Sequence, residues 1–372
     1  MIRFFIVLAS IFLLIFSWPT LKNIDYHKAI DSIKSEIENV KKNKDLQAAI
    51  DSGTDKVQQF LNRIDTHSSD QPQADSSQSK NISLKTPSNQ LFSINNIELG
   101  DSKDDIEHRL GPAKRSSLNE YGAKWYAYHK DYQQFFMVMY DNNRKVTGLY
   151  TDQALIASTK GIKLGISKEK VRAKLGTPLS GLQKGLIIYQ FQKNSDYDMY
   201  LLDGVYVTLF YDKHEGNTVT ALQLISQNVE QKKKDYFTKA SSALEKGFEY
   251  QLFDLTNSSR VKHHLLILSW DQHVRGTARN HSLDMAENQY FDHTNLKGQS
   301  PFDRMNQDHI TFLLAGENIA YGQLSSIFAH EGLMNSLGHR ENILRKDYKY
   351  LGVGVAFSNE SQPYYTEDFY AK

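Results

Sequence analysis

The feature that most constrains this chain is a repeat. Ile97-Glu98-Leu99-Gly100-Asp101-Ser102-Lys103 returns as Ile162-Lys163-Leu164-Gly165-Ile166-Ser167-Lys168, and Leu110-Gly111-Pro112 returns as Leu175-Gly176-Thr177-Pro178. In each copy a serine stands where a helix N-cap belongs, an apolar pair follows (Ile106 and Leu110, or Val171 and Leu175), and a glycine ends the segment. Strand-like runs come next: 125–128, 135–140 and 146–150 in the first copy, 187–191, 205–211 and 218–224 in the second. Tyr140-Asp141 and Tyr211-Asp212 each precede a polar hairpin turn. Residues 91–228 therefore predict a duplicated α+β domain whose copies share one sheet or face each other. Neither copy gathers a convergent set of catalytic residue types, which favours a binding or scaffolding role.

The N-terminal part reads differently. Residues 4–18 are charge-free and almost wholly apolar behind Arg3. The run is shorter than the roughly 20 residues of a full span. No small-x-small cleavage site follows it, and Trp18 suits a membrane interface. We expect residues 1–21 to be an uncleaved membrane helix, giving a single-pass protein with Arg3 inside and the C-terminus outside the cytoplasm. A cleaved signal, leaving a secreted protein, is the alternative. In residues 22–66, Ile30, Ile33, Ile37 and Val40, then Val57, Phe60, Leu61 and Ile64, recur at helical spacing. They predict a helical stalk, either solvated or a surface for self-association. Residues 67–90, rich in Ser, Gln, Asp and Asn, read as a flexible linker.

A chain of 372 residues, 40% hydrophobic, has material for two or three cored domains. Its net charge of +1 offers no basic face for nucleic acid. With no cysteine, disulfides and thiolate metal sites are excluded, so any metal must be held by His and carboxylate. The absence of bridges in an exported chain of this size favours a bacterial protein.

After a helical connector at 229–247, residues 248–372 carry the chemistry. Leu252, Leu255, Asn257 and Arg260 close one helix, and Val274, Ala278, His281 and Met285 share a face of the next. Ser300-Pro301 starts a further helix. Ser325 or Ser326 starts another through Leu333, which Gly338 is expected to end. Residues 353–357 and 363–370 read as paired strands, making an α/β sandwich. Four phrases stand out: Phe291-Asp292-His293-Thr294, Ser300-Pro301-Phe302-Asp303-Arg304, Gly316-Glu317-Asn318-Ile319-Ala320 and Asn335-Ser336-Leu337-Gly338-His339-Arg340. Each puts a histidine or carboxylate beside a cap or turn, and such chain ends often carry function. His330 is expected at the surface.

In these phrases the chain resembles the CAP superfamily of cysteine-rich secretory, antigen 5 and pathogenesis-related proteins. The repeat resembles the CAP-associated domain that precedes this module in some Gram-positive bacterial proteins. The resemblance implies an α-β-α sandwich with a cleft lined by two histidines and two acids, able in some members to hold a divalent cation. Carried over, it assigns His293, Glu317 and His339. At the fourth position Ser336 replaces an acid and Leu333 an aromatic residue, so Glu331 is the nearest substitute. Glu367 stands where many relatives carry Gln and adds a carboxylate near the site. The expected function is a membrane-anchored extracytoplasmic module binding an envelope component, peptide or lipid-like ligand, with Zn²⁺ or Ca²⁺ in the His/Glu cleft. A metal-assisted hydrolase using His293, Glu317 and His339 is the alternative, and a structural role the third.

Overall fold

Ser102 and Ser167 begin the two helices that the repeat predicts. The Ser102 side chain accepts the N–H of Asp104 at the start of α1 (Lys103–Leu110), and Ser167 that of Lys170 at the start of α2 (Lys168–Leu175). Gly111 and Gly176, at φ of 77° and 85°, end them. These details come from a computed structural model that describes residues 83–192 and 195–372. The expected membrane helix, the stalk and most of the linker lie outside those residues. From Ser83 onward the linker is anchored: the Glu98 carboxylate accepts the backbone N–H groups of Ser88, Asn89 and Gln90 at 2.8–2.9 Å.

The two copies share a sheet. Strands β2 (Arg115–Leu118), β3 (Lys124–Lys130), β4 (Gln133–Tyr140) and β5 (Val146–Thr151) join β9 (Tyr197–Leu202), β10 (Val205–Asp212) and β11 (Thr218–Ser226). Their order is β2-β3-β4-β5-β11-β10-β9, antiparallel throughout. The copies meet where β5 pairs β11, Leu149 opposite Leu224. Two small hairpins flank it: β1 (Phe92–Ile94) with β6 (Ile156–Ser158), and β7 (Gly181–Lys184) with β8 (Ile187–Gln190). The domain is thus richer in strand than the α+β reading implies.

Side-chain alternation gives the large sheet two apolar faces. Phe136, Val138, Leu149, Leu209 and Leu222 pack with Ile106 and Val171 of the repeat's own helices. Trp125, Met137, Met139, Tyr150 and Phe210 form a core with Phe248, Leu252 and Leu333 from the C-terminal part. The described residues accordingly form one compact unit.

The C-terminal part has three layers. Its sheet runs β12 (Ser269–Trp270), β14 (Tyr350–Phe357), β15 (Pro363–Ala371), β13 (Leu314–Tyr321). Helix α5 (Gln272–Asn288) covers one face, while α4 (Ser242–Lys262) and α7 (Ser326–Asn335) cover the other. Glycine allows α5 to lie close: a Cβ at Gly354 would stand 2.0 Å from the Arg279 nitrogen. Short helices α6 (Pro301–Gln307) and α8 (Leu337–Ile343) complete the domain.

Two boundaries differ from expectation. The connector is not one helix, because α3 (Gln227–Lys232) stops at Lys233, which is extended, and α4 begins only at Ser242. Gly338 does not end α7 either. Ser336, at φ −100° and ψ 119°, breaks the chain there, and Gly338 lies inside α8.

Candidate functional site

The site is assembled at β13 from segments that α5 and α6 hold in place. Helix α5 ends at Gln289 in the left-handed region, turning the chain into the loop that carries His293. That loop is pinned from beneath by His281 of α5, whose Nε2 lies 3.0 Å from the Asp292 carbonyl oxygen. At its far end Ser300 and Asp303 form a reciprocal capping box with Pro301 at the first turn of α6. This start directs Arg304 back over the loop. Its Nη1 donates to the carbonyls of His293 (2.7 Å) and Gln299 (3.1 Å), and its Nη2 to Glu317 Oε2 (2.5 Å). Glu317 Oε1 accepts from His293 Nδ1 at 2.8 Å. Bonding Nδ1–H to a carboxylate leaves the His293 Nε2 lone pair outward, on a side chain that is 49% exposed.

His339 comes from α8 and packs beside the same strand. Its Nδ1 is 2.8 Å from Ser336 Oγ, and its backbone carbonyl accepts from Asn318 Nδ2 at 3.2 Å. Burial first, and the charge on nearby His293 second, hold its pKa below the ordinary histidine value. Of the three residues that the resemblance names, His293 and Glu317 are in direct contact, and His339 lies near His293 without a hydrogen bond to either.

Glu331 is not with them. Its carboxylate is buried on the opposite side of α7, accepting from Tyr150 Oη of the repeat domain at 2.7 Å, and burial raises its pKa to about 7. The helix breaks at Ser336 before Glu331 could swing toward His339, so the substitution proposed from spacing fails. Glu367 is also displaced by strand alternation. It points toward α4, bonded to Thr256 Oγ1 (2.7 Å) and Asn318 Nδ2 (3.1 Å), and burial raises its pKa to about 7. Its neighbour Asp368 is the carboxylate that faces the site, opposite Glu317 in the β13–β15 register. Burial, reinforced by the Glu317 charge, pushes the Asp368 pKa well above the usual carboxylate range.

His330 is not at the surface. It is fully buried, its Nε2 2.7 Å from Ser259 Oγ, which lies 3.4 Å from Asp152 Oδ2. This serine, histidine and aspartate resemble a hydrolytic set by type alone. All three are 4% exposed or less, and burial lowers the His330 pKa to about 3, so they are core.

The donor set does not fit a protein-held metal. Both Glu317 oxygens are engaged, by His293 and by the Arg304 cation, leaving two imidazole Nε2 atoms for an ion. Zn²⁺ takes at least three protein ligands as a rule, and Ca²⁺ about six or more oxygens. Among the described residues, no group of three or more His, Asp or Glu side chains is arranged to hold a metal ion. What the arrangement can do is accept or donate hydrogen bonds at the free imidazole nitrogens, with His293 polarised by Glu317. Behind it, His281 and Arg304 also line a cavity of about 330 Å³ between α5 and α6.

Sequence reasoning quoted Arg304 and His281 but gave neither of them, nor Asp368, a role in the site. Arg304 was signalled by the Ser300-Pro301 cap, which fixes the direction of the fourth helical residue. Asp368 was signalled by alternation, since Glu317 and its cross-strand partner must share a face.

Comparison with known proteins identifies this three-layer sandwich and the repeat domain before it. Residues 253–369 match the cysteine-rich secretory protein family, and residues 99–236 match the CAP-associated N-terminal family. The chain belongs to the cysteine-rich secretory (CAP) protein family. It is 32% identical over 290 residues to "Uncharacterized membrane protein YlbC" of Bacillus subtilis strain 168, a match spanning 73% of this chain and 82% of that one. An extracellular protein containing a SCP domain from Bacillus anthracis superposes with a TM-score of 0.62 at 26% identity, covering 74% of this chain and 94% of the other. A cysteine-rich secretory protein from Staphylococcus aureus shares the fold at TM-score 0.60 and 15% identity, covering 77% and 95%.

Proposed function

We propose that this chain is a membrane-anchored extracytoplasmic binding protein. Its cleft would recognise an envelope component, a peptide or a lipid-like ligand through the paired imidazoles of His293 and His339. The carrying observation is that two separate segments each tie down an imidazole at Nδ1, by Glu317 or by Ser336, so that Nε2 of each ring is left for a ligand. Preset polar atoms beside exposed apolar side chains, here Phe291 and Leu337, suit recognition of a ligand with both polar and apolar parts. The apolar run at residues 4–18, a relative named as a membrane protein and a structural relative described as extracellular support the location.

The test is retention of envelope polymer fragments, peptides and lipid vesicles by the full chain, compared with a His293→Ala/His339→Ala double variant. We expect the double variant to lose about tenfold or more in affinity, equivalent to at least one charge-assisted hydrogen bond. Equal retention by both chains would refute the cleft as the binding site. Calorimetry with Zn²⁺ and Ca²⁺ on the same proteins checks the cation expectation. One observation favours a second reading as a hydrolase: the Glu317–His293 pair is the orienting half of a general base. Cleavage of a peptide or envelope polymer that disappears in Glu317→Gln would establish it. A reporter fused after Lys80 and active outside the cytoplasm would support the topology.

A further inference from the structure

The residues that carry His339 are gripped on both sides by the repeat domain. Ser336, Leu337 and Gly338 are exposed and His339 half-buried, so this short segment has little packing of its own. Before it stands Asn335, whose Oδ1 accepts from the Lys213 backbone (2.8 Å) and whose Nδ2 donates to the Tyr211 carbonyl (2.9 Å). The Asn335 carbonyl oxygen is 3.2 Å from His214 Nε2. After it stands Arg340, whose Nη1 donates to Asp212 Oδ2 at 2.8 Å and whose Nη2 is 3.4 Å from Glu215 Oε1. All these partners come from residues 211–215, the end of β10 and the turn that follows it. The turn is itself rigid: Asp212 Oδ1 accepts the N–H groups of His214 and Glu215 to cap a single 3₁₀ turn, which Gly216 ends in the left-handed region.

His293 is held differently. Its anchors, Glu317, Arg304 and the Asp292 carbonyl held by His281, all belong to the C-terminal domain. His293 is thus placed by its own domain alone, whereas the segment carrying His339 is held by that domain's sheet, through Asn318 and Asn342, and also by a turn of the neighbouring domain.

We propose that the 211–215 turn of the second repeat is a positioning element for the candidate site, with Asp212 and Arg340 as its chief pair, setting His339 relative to His293. The repeat domain then has a defined role, because a displacement of this turn changes the separation of the two imidazoles without touching either. A ligand or partner acting on the repeat domain has through it a direct route to the cleft. This positioning role rests on the reading that the two histidines form one site, but its test requires no ligand and so stands or falls apart from the binding function.

The experiment is NMR of the full chain carrying ¹³Cε1-labelled histidine, with His293 and His339 signals assigned from His293→Gln and His339→Gln. In Asp212→Ala and Arg340→Gln, the His339 signal should move by more than its linewidth and broaden, while His293 stays in place. Asp141→Ala, the matching change in the first repeat, should move neither. Either clamp variant is sufficient, so a failure of one to fold leaves the other to decide. The proposal is overturned if His339 is unmoved in a folded clamp variant. It is equally overturned if both histidines move together, because that is general loosening rather than positioning.

Discussion

The Tyr140-Asp141 and Tyr211-Asp212 turns start from the same chemistry and end in different roles. Each follows a register shift in its strand, at Met139/Tyr140 and at Phe210/Tyr211. In each, one aspartate oxygen accepts two backbone N–H groups of its own turn: Asn143 and Lys145 in the first copy, His214 and Glu215 in the second. Asp141 is exposed, whereas Asp212 is 4% exposed and its other oxygen meets Arg340. The difference teaches that turn chemistry is a property of the repeat, while its use depends on what the fold lays against it. A side chain that merely closes a hairpin in water becomes half of a buried ion pair once a second domain covers it.

The largest test of that difference is removal of the cation from each turn. Arg340→Ala would strand Asp212 inside the interface, and breaking a buried pair in this way costs about 3–5 kcal/mol. Arg144, which pairs with Asp104 near the first turn, is 52% exposed, and Arg144→Ala should leave the urea midpoint essentially unchanged. Equal effects would mean that burial does not separate the repeats.

A second test concerns Glu331, which joins the interface through Tyr150. Burial raises its pKa from 4.5 to about 7. The folded state therefore holds this proton more tightly than the unfolded chain, so the contribution is fully present below pH 4.5 and is lost as pH rises through 7. Glu331→Gln keeps an oxygen to accept from Tyr150 and removes the titration. We expect the variant to gain on the parent across that window, reaching about 3 kcal/mol at higher pH. Urea unfolding of both proteins from about pH 4 to about pH 8, a range that brackets both pKa values, measures it. A constant difference between them would show that Glu331 does not titrate with folding.

Much of this molecule was legible where the governing interaction is local. The capped helices after Ser102 and Ser167, the Ser300-Pro301 start and the buried face of α5 follow from neighbours in sequence. The resemblance also named His293 and Glu317, which the structure shows in contact. What was not legible depends on contacts between distant residues. Asp212 and Arg340 are 128 positions apart, and no periodicity connects them. His330 looked like a surface residue because its partner Ser259 comes from another helix. Glu331 looked close enough to complete the cleft because nothing in the sequence shows that Ser336 leaves the helix. Glu367 was chosen over Asp368 because motif comparison ranks positions, whereas a strand divides adjacent side chains between two faces.

A milder loss than at Arg340 or Glu331 is expected at the first turn itself. Asp141→Ala removes two hydrogen bonds, but both are exposed and their backbone donors can turn to water, so the net loss should be about 1 kcal/mol. The turn has a second support that does not involve the side chain, since the Asp141 N–H donates to the Lys145 carbonyl and the Arg144 N–H to that of Asp141. Asp212→Ala removes equivalent local bonds and also abandons Arg340 in the interface, so its urea midpoint should fall further. If the two substitutions prove equally mild, Arg340 must find another acceptor, and Glu215, already 3.4 Å away, is the nearest to hand. Adding Glu215→Ala to Asp212→Ala would then expose the missing loss, and its size would measure how far one turn residue can replace another in holding the second domain.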